Sequence, residues 1–111
     1  MKVERFEWSM AQRVALITGG GKRIGAATVS LLMEHDWFVL LHVRNSVVEA
    51  EQILEDFERK NGRKAPAEII RADLNLDEDI AALLQAASNH EMVLKNGGLH
   101  ALIHNASIYS S

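Results

Sequence analysis

The sequence predicts an α/β domain built on an open parallel sheet in the order βαβαβαβ, and three observations carry that expectation. Four short apolar runs, Arg13–Thr18, Trp37–Val43, Ala67–Asp73 and Leu99–His104, are spaced along the chain. The first two are nearly continuous in apolar residues rather than alternating, as strands covered on both faces are. The intervals between runs carry apolar residues at helical spacing, and such alternation requires parallel strands joined by right-handed crossovers.

The first strand, Arg13-Val-Ala-Leu-Ile-Thr18, stops at Gly19, Gly20 and Gly21. From about Arg23 to His35, Ile24, Ala27, Leu31 and Leu32 recur at helical spacing, with no glycine between Ala26 and Asp36. Trp37-Phe-Val-Leu-Leu-His-Val43 is the second strand, followed by the polar turn Arg44-Asn45-Ser46. Ser46 reads as an N-cap and Glu49, three residues on, as its capping-box partner. The helix they open carries Val47, Ala50, Ile53, Leu54 and Phe57 on one face and Glu51, Glu55, Glu58 and Arg59 on the other. Asn61-Gly62 should stop it.

Pro66, the only proline, precedes the third strand. Asn75 and Glu78 then form another capping pattern, and Ile80, Leu83, Leu84 and Ala87 supply an apolar stripe. The segment 88–98 is polar and ends in glycine, so periodicity does not locate the end of that helix. Leu99-His-Ala-Leu-Ile-His104 is the fourth strand.

Composition bounds the function. At 111 residues the chain is one domain's worth or less, read as an N-terminal extension over residues 1–12 and a folded part of a domain over 13–111. A net charge of −3 gives no reason to expect nucleic acid or an anionic membrane as partner. With no cysteine, disulfides and thiolate metal sites are excluded. Residues 1–12 lack the apolar run of a signal peptide and no 18-residue apolar span exists, so a cytoplasmic location is expected. His35, His90 and His100 fit no metal-ligand spacing; structural or solvated roles are expected, and no metal.

The chemistry concentrates in two turns. In a sheet of this kind, ligands bind beyond the carboxyl ends of the strands, and the first strand-helix turn receives a pyrophosphate at the helix N-terminus. Thr18-Gly-Gly-Gly-Lys-Arg-Ile-Gly25 suits that role: Gly19 to Gly21 let the backbone turn tightly, and Gly25 lets the helix pack closely on the sheet. An NAD-binding fold usually ends its second strand in Asp or Glu, which bonds the ribose 2′-hydroxyl. Here that place reads His42-Val43-Arg44-Asn45-Ser46, without a carboxylate. Arg44, Ser46 and His42 could donate to a 2′-phosphate, and Lys22 could reach it from the first loop. NADP(H) is therefore expected over NAD(H). Lone surface cations are commonly just solvated, but Lys22, Arg23 and Arg44 stand at the two turns that jointly face a dinucleotide.

These motifs, with Ala72-Asp-Leu74 after the third strand and His104-Asn-Ala-Ser-Ile-Tyr109 after the fourth, resemble the short-chain dehydrogenase/reductases. Within them the chain looks most like the pteridine reductase and dihydromonapterin reductase branch, which replaces the middle glycine of T-G-x-x-x-G-x-G by arginine, as Arg23 does. The resemblance spans about Arg13 to Tyr109 and implies a Rossmann-type fold. It implies that Thr18, Gly19, Gly21, Lys22, Arg23, Ile24 and Gly25 surround the cofactor's phosphates, and that His42, Arg44, Asn45 and Ser46 form the 2′-phosphate turn. Val43 stands there where an aromatic is often found. Asp73 and Leu74 match the pair that contacts adenine, and Asn105, Ala106 and Ser107 the segment beside the ribose and nicotinamide. His104 replaces the first Asn of the general N-N-A-G motif. Arg23, Ser107 and Tyr109 match positions that hold a pterin, the aromatic ring stacking on it.

Hydride transfer in that superfamily relies on a Tyr-x-x-x-Lys pair. The single tyrosine, Tyr109, is followed only by Ser110 and Ser111, so no catalytic residue is assigned. The chain is expected to be the cofactor-binding front half of an NADPH-dependent reductase of a small, pterin-like substrate, inactive alone and homo-oligomeric in its full-length form. Alternative readings are an NADP-linked ketoreductase acting on another carbonyl, or a non-catalytic dinucleotide-binding module. The front half alone should leave an apolar edge at the fourth strand.

Overall fold

The computed structural model describes residues 12–19, 23–72 and 77–104. In chain order the elements are β1 (Val14–Thr18), α1 (Arg23–Glu34), β2 (Phe38–Val43), α2 (Val47–Asn61), β3 (Ala67–Arg71), α3 (Asp77–Ser88), α4 (Glu91–Lys95) and β4 (Ala101–His104). The four strands form one parallel sheet in the order β3-β2-β1-β4, the expected incomplete Rossmann-type α/β arrangement. The chain moves outward from β1 to β2 to β3, then returns to the other side of β1. The strand order therefore reverses between β1 and β4, and sheets of this kind bind ligands at the carboxyl edge beside such a switch point.

Two apolar layers flank the sheet. On one side Ile17, Val39, Leu41 and Val43 pack with Val29 and Met33 of α1 and Ala50 and Phe57 of α2. On the other, Val14, Leu16 and Leu40 pack with Leu83 and Ala87 of α3 and Val93 of α4. Every residue of β1 is buried because alternate side chains enter opposite layers. Hence the continuous apolar run, where a strand wet on one face would alternate. β4 forms an edge of the described sheet, and Leu102 on it is 56% exposed, an apolar edge of the kind expected.

Local chemistry sets the helix ends, with some departures from the sequence pattern. The core face of α1 is Gly25, Val29 and Met33, at i, i+4 and i+8, whereas Ala27 and Leu31 of the expected stripe point to solvent. α1 has apolar residues on several faces, so its periodicity could not choose the one that docks. Asp36 ends it at φ 67°, with Trp37 N–H donating to Leu32 O and Asp36 N–H to Met33 O. This is the Schellman arrangement with Asp where glycine is usual.

α2 follows its pattern: Ala50 and Phe57 are buried, Val47, Ile53 and Leu54 half-buried, and the charged face is exposed. Gly62 closes it at φ 67°, its N–H donating to Glu58 O. The capping box at its start is not formed. Ser46 holds the N-cap position, but at φ −91°, ψ 43° its side chain makes no capping bond.

β3 stops at Arg71, two residues short of the expected Asp73, and β4 starts at Ala101 rather than Leu99. In α3, Leu83 and Ala87 are buried while Leu84 is 41% exposed. The capping pattern of Asn75 and Glu78 lies outside the described atoms. α4 is an element that periodicity missed. Its cap is His90, whose Nδ1 accepts from Met92 N–H at 3.1 Å while Nε2 lies 2.9 Å from Glu68 Oε1. His100 is also structural, its Nδ1 accepting from Val14 N–H at 3.0 Å. Among the described residues no helix is long and apolar enough to cross a membrane.

Candidate functional site at the carboxyl edge of the sheet

Parallel register brings the candidate residues to one edge. Thr18 lies beside His42 on one side and His104 on the other, and Val43 beside Arg71. The segments that leave these strands therefore emerge together.

The first turn begins at Gly19 with φ 69°, a left-handed conformation suited to a residue without Cβ. Its N–H donates to His42 O at 3.0 Å, turning the chain away from the sheet at the end of β1. Thr18 is buried. Gly25, also buried, sits on the sheet-facing side of α1 beside Val29, which fits close helix-sheet packing. The backbone of Arg23 and Ile24 opens α1; their side chains, and all of Gly21 and Lys22, lie outside the described atoms. So do Asp73, Leu74, Asn105, Ala106, Ser107 and Tyr109, including the expected adenine, nicotinamide and pterin contacts.

His42 is 2% exposed and points into the sheet's edge rather than into the open turn. Its Nε2 is 2.7 Å from Ala72 O. A carbonyl only accepts, so Nε2 carries the proton in that contact. Nδ1 is then the acceptor, and Gly19 N–H reaches it at 3.4 Å in addition to its backbone bond. The imidazole thus spans from the exit of β1 to the exit of β3. Its placement differs from that of an exposed phosphate donor: both ring nitrogens face protein groups.

After β2 the chain enters a cleft of about 440 Å³ lined by Arg44, Asn45, Arg71 and Ala72. Arg71, which sequence reasoning did not single out, donates from Nε to Arg44 O at 3.1 Å. Ala72 N–H donates to Val43 O at 3.1 Å, so β2 and β3 stay joined up to the cleft. Ser46 begins α2 next to it, and Ala50 N–H donating to Ser46 O makes the first helical bond. The N–H groups of the first turn have no intrahelical acceptor, and Ser46 does not cap them. Among the described residues the lining holds two arginines and no carboxylate. An anion is the ligand such a surface favours.

Comparison with known proteins agrees with this geometry. Residues 13–111 match the short chain dehydrogenase family. A short-chain dehydrogenase/reductase homolog of Bacillus subtilis strain 168, YusS, is 31% identical over 100 residues, covering 90% of this chain and 84% of that protein. Dihydromonapterin reductase of Enterobacter sp. strain 638 is 33% identical over 100 residues, 90% of this chain but 36% of the enzyme. Among solved structures, FolM alternative dihydrofolate reductase 1 from Brucella canis, complexed with NADP, superimposes with a TM-score of 0.67 at 30% identity. That match covers 92% of this chain and 37% of FolM. The chain therefore spans little more than a third of the length of the latter two relatives.

Proposed function

The chain belongs to the short-chain dehydrogenase family, and on that premise we propose that it binds NADP(H) and forms the cofactor-holding part of a reductase acting on a pterin-type small molecule. The observation that carries the cofactor reading is the cleft after β2, where Arg44 stands at the strand exit in place of a carboxylate. A carboxylate would accept from a ribose 2′-hydroxyl and repel a 2′-phosphate; a guanidinium does the reverse. FolM, similar over 92% of this chain, was solved with NADP, which supports the same reading.

The residues present suit such a cofactor. Gly19 turns the backbone at the end of β1, and α1 begins four residues later with its N-terminus at the same edge. Helix N-termini of this kind receive a pyrophosphate, which the neighbouring Lys22 and Arg23 would help to neutralise. Arg44 and Ser46, with the uncapped first turn of α2, would hold the 2′-phosphate. His42 acts as a brace rather than a ligand, keeping the first turn and the exit of β3 in register. NADPH supplies a hydride when bound, and the side chains described here orient the cofactor without reacting. The pterin reading rests on the resemblance around Arg23, Ser107 and Tyr109 and on the similarity to dihydromonapterin reductase.

Titration of the chain with NADPH and NADH tests the cofactor claim. Arg44→Ala should weaken NADPH binding by about 1.5–3 kcal/mol, the value of a charged hydrogen bond, and NADH binding far less. Equal losses for both would contradict the assignment. The chain alone should bind without turnover. Where a Tyr-x-x-x-Lys pair is supplied by a longer polypeptide, NADPH oxidation should saturate with a dihydropterin. Turnover confined to acyl-carrier ketones would overturn the substrate class.

A further inference from the structure

We propose that Arg71 is a second specificity-determining residue for the 2′-phosphate, bracing the turn after β2 and adding its own charge to that of Arg44. The inference rests on the reading that the cleft takes NADP(H).

Three observations converge on it. Arg71 ends β3 in register with Val43, so its side chain starts at the strand adjacent to the one that carries Arg44. Its Nε is committed to Arg44 O at 3.1 Å, which ties an exposed side chain to the backbone of the very turn in question. A guanidinium carries five N–H donors, so this bond leaves four on the terminal nitrogens. Finally, Arg71 and Arg44 both line the cleft, with no carboxylate among its described lining residues. Two cations beside one cleft repel each other, and a doubly charged phosphate turns that repulsion into attraction from both. A lysine would not do the same work, since one ammonium cannot both present a planar fork and hold the carbonyl through a separate nitrogen.

The probes are adenosine 2′,5′-bisphosphate and AMP, titrated calorimetrically into the full chain and its Arg44→Ala, Arg71→Gln and Arg71→Lys variants. Arg71→Gln should lose about ten- to hundredfold in affinity for the bisphosphate, as loss of a charged hydrogen bond implies. Its AMP affinity should change less than about twofold, and its bisphosphate binding should become less sensitive to salt, because one cation is gone. Arg71→Lys should fall between wild type and Arg71→Gln.

Unchanged bisphosphate affinity in Arg71→Gln, with the loss confined to Arg44→Ala, would overturn the role of Arg71 and leave the NADP(H) reading standing. Equal losses for both probes in Arg71→Gln and Arg71→Lys would also overturn it, because a purely structural brace does not distinguish a 2′-phosphate. A wild-type chain that binds AMP as tightly as the bisphosphate would overturn both. Thermal melts by circular dichroism accompany each titration; Arg71 is exposed, so both variants should fold.

Discussion

Replacing His42 by leucine removes a hydrogen-bonding bridge while keeping most of the buried volume. The ring is 2% exposed and gives Nε2–H to Ala72 O at 2.7 Å. The Nδ1 contact with Gly19 N–H, at 3.4 Å, is long, and that donor keeps His42 O at 3.0 Å, a backbone acceptor that the substitution leaves in place. Most of the loss therefore falls on the Ala72 carbonyl. A good hydrogen bond contributes about 1 kcal/mol, and leaving the buried partner unsatisfied raises the cost to about 1–3 kcal/mol; a half-buried carbonyl stands near 2 kcal/mol. For a domain of this size that corresponds to a fall in Tm of roughly 8–10 °C. Glutamine offers an N–H on a flexible stem and should recover about half of it. Urea unfolding followed by far-UV circular dichroism would read the differences. If His42→Leu is as stable as wild type, or His42→Gln no better than His42→Leu, the imidazole is not a brace. His42→Leu should also weaken NADPH and NADH binding to the same extent, since a brace holds both turns without reading the 2′-phosphate.

Other expectations follow from local packing. Phe57 is 4% exposed in the layer beneath α1 and α2, with the Arg63 guanidinium 5.0 Å from its ring. Phe57→Ala should cost about 3–5 kcal/mol in denaturant unfolding, whereas Val48→Ala, at a 75% exposed site on the same helix, should change stability by less than about 0.5 kcal/mol. Asp36→Gly should be neutral or raise stability by about 0.5 kcal/mol in thermal melts, because φ 67° suits glycine better than Asp. The surface ion pair that it sacrifices with Arg63 contributes little. Asp36→Val should lose about 1–2 kcal/mol, and equal melting of the two variants would contradict the Schellman reading.

Much of the fold was legible before any coordinate. The runs that became β1 and β2 were continuous because both faces of the sheet are covered, and the Asn61-Gly62 stop needed only the left-handed preference of glycine. Of the expected α1 stripe of Ile24, Ala27, Leu31 and Leu32, Leu32 packs against the core but Ala27 and Leu31 face solvent, while Val29 and Met33 were passed over: the helix is apolar on several sides, and only contact with the sheet selects one. α4 went unseen because its cap is the imidazole of His90, a residue outside the usual capping set. The end of α1, by contrast, fell within a residue of the expected His35, although Asp36 stands where glycine is usual.

The same division runs through the site. Residue types and their spacing determined the order of the elements, the family, and the carboxylate-free turn at Arg44, because each is a property of neighbouring residues. Tertiary structure decided that His42 turns inward to join the ends of β1 and β3, and that Arg71, 27 residues beyond Arg44, shares its cleft. Those placements come from strand register. A parallel sheet sets distant strand ends side by side, and no local periodicity records which side chains meet there.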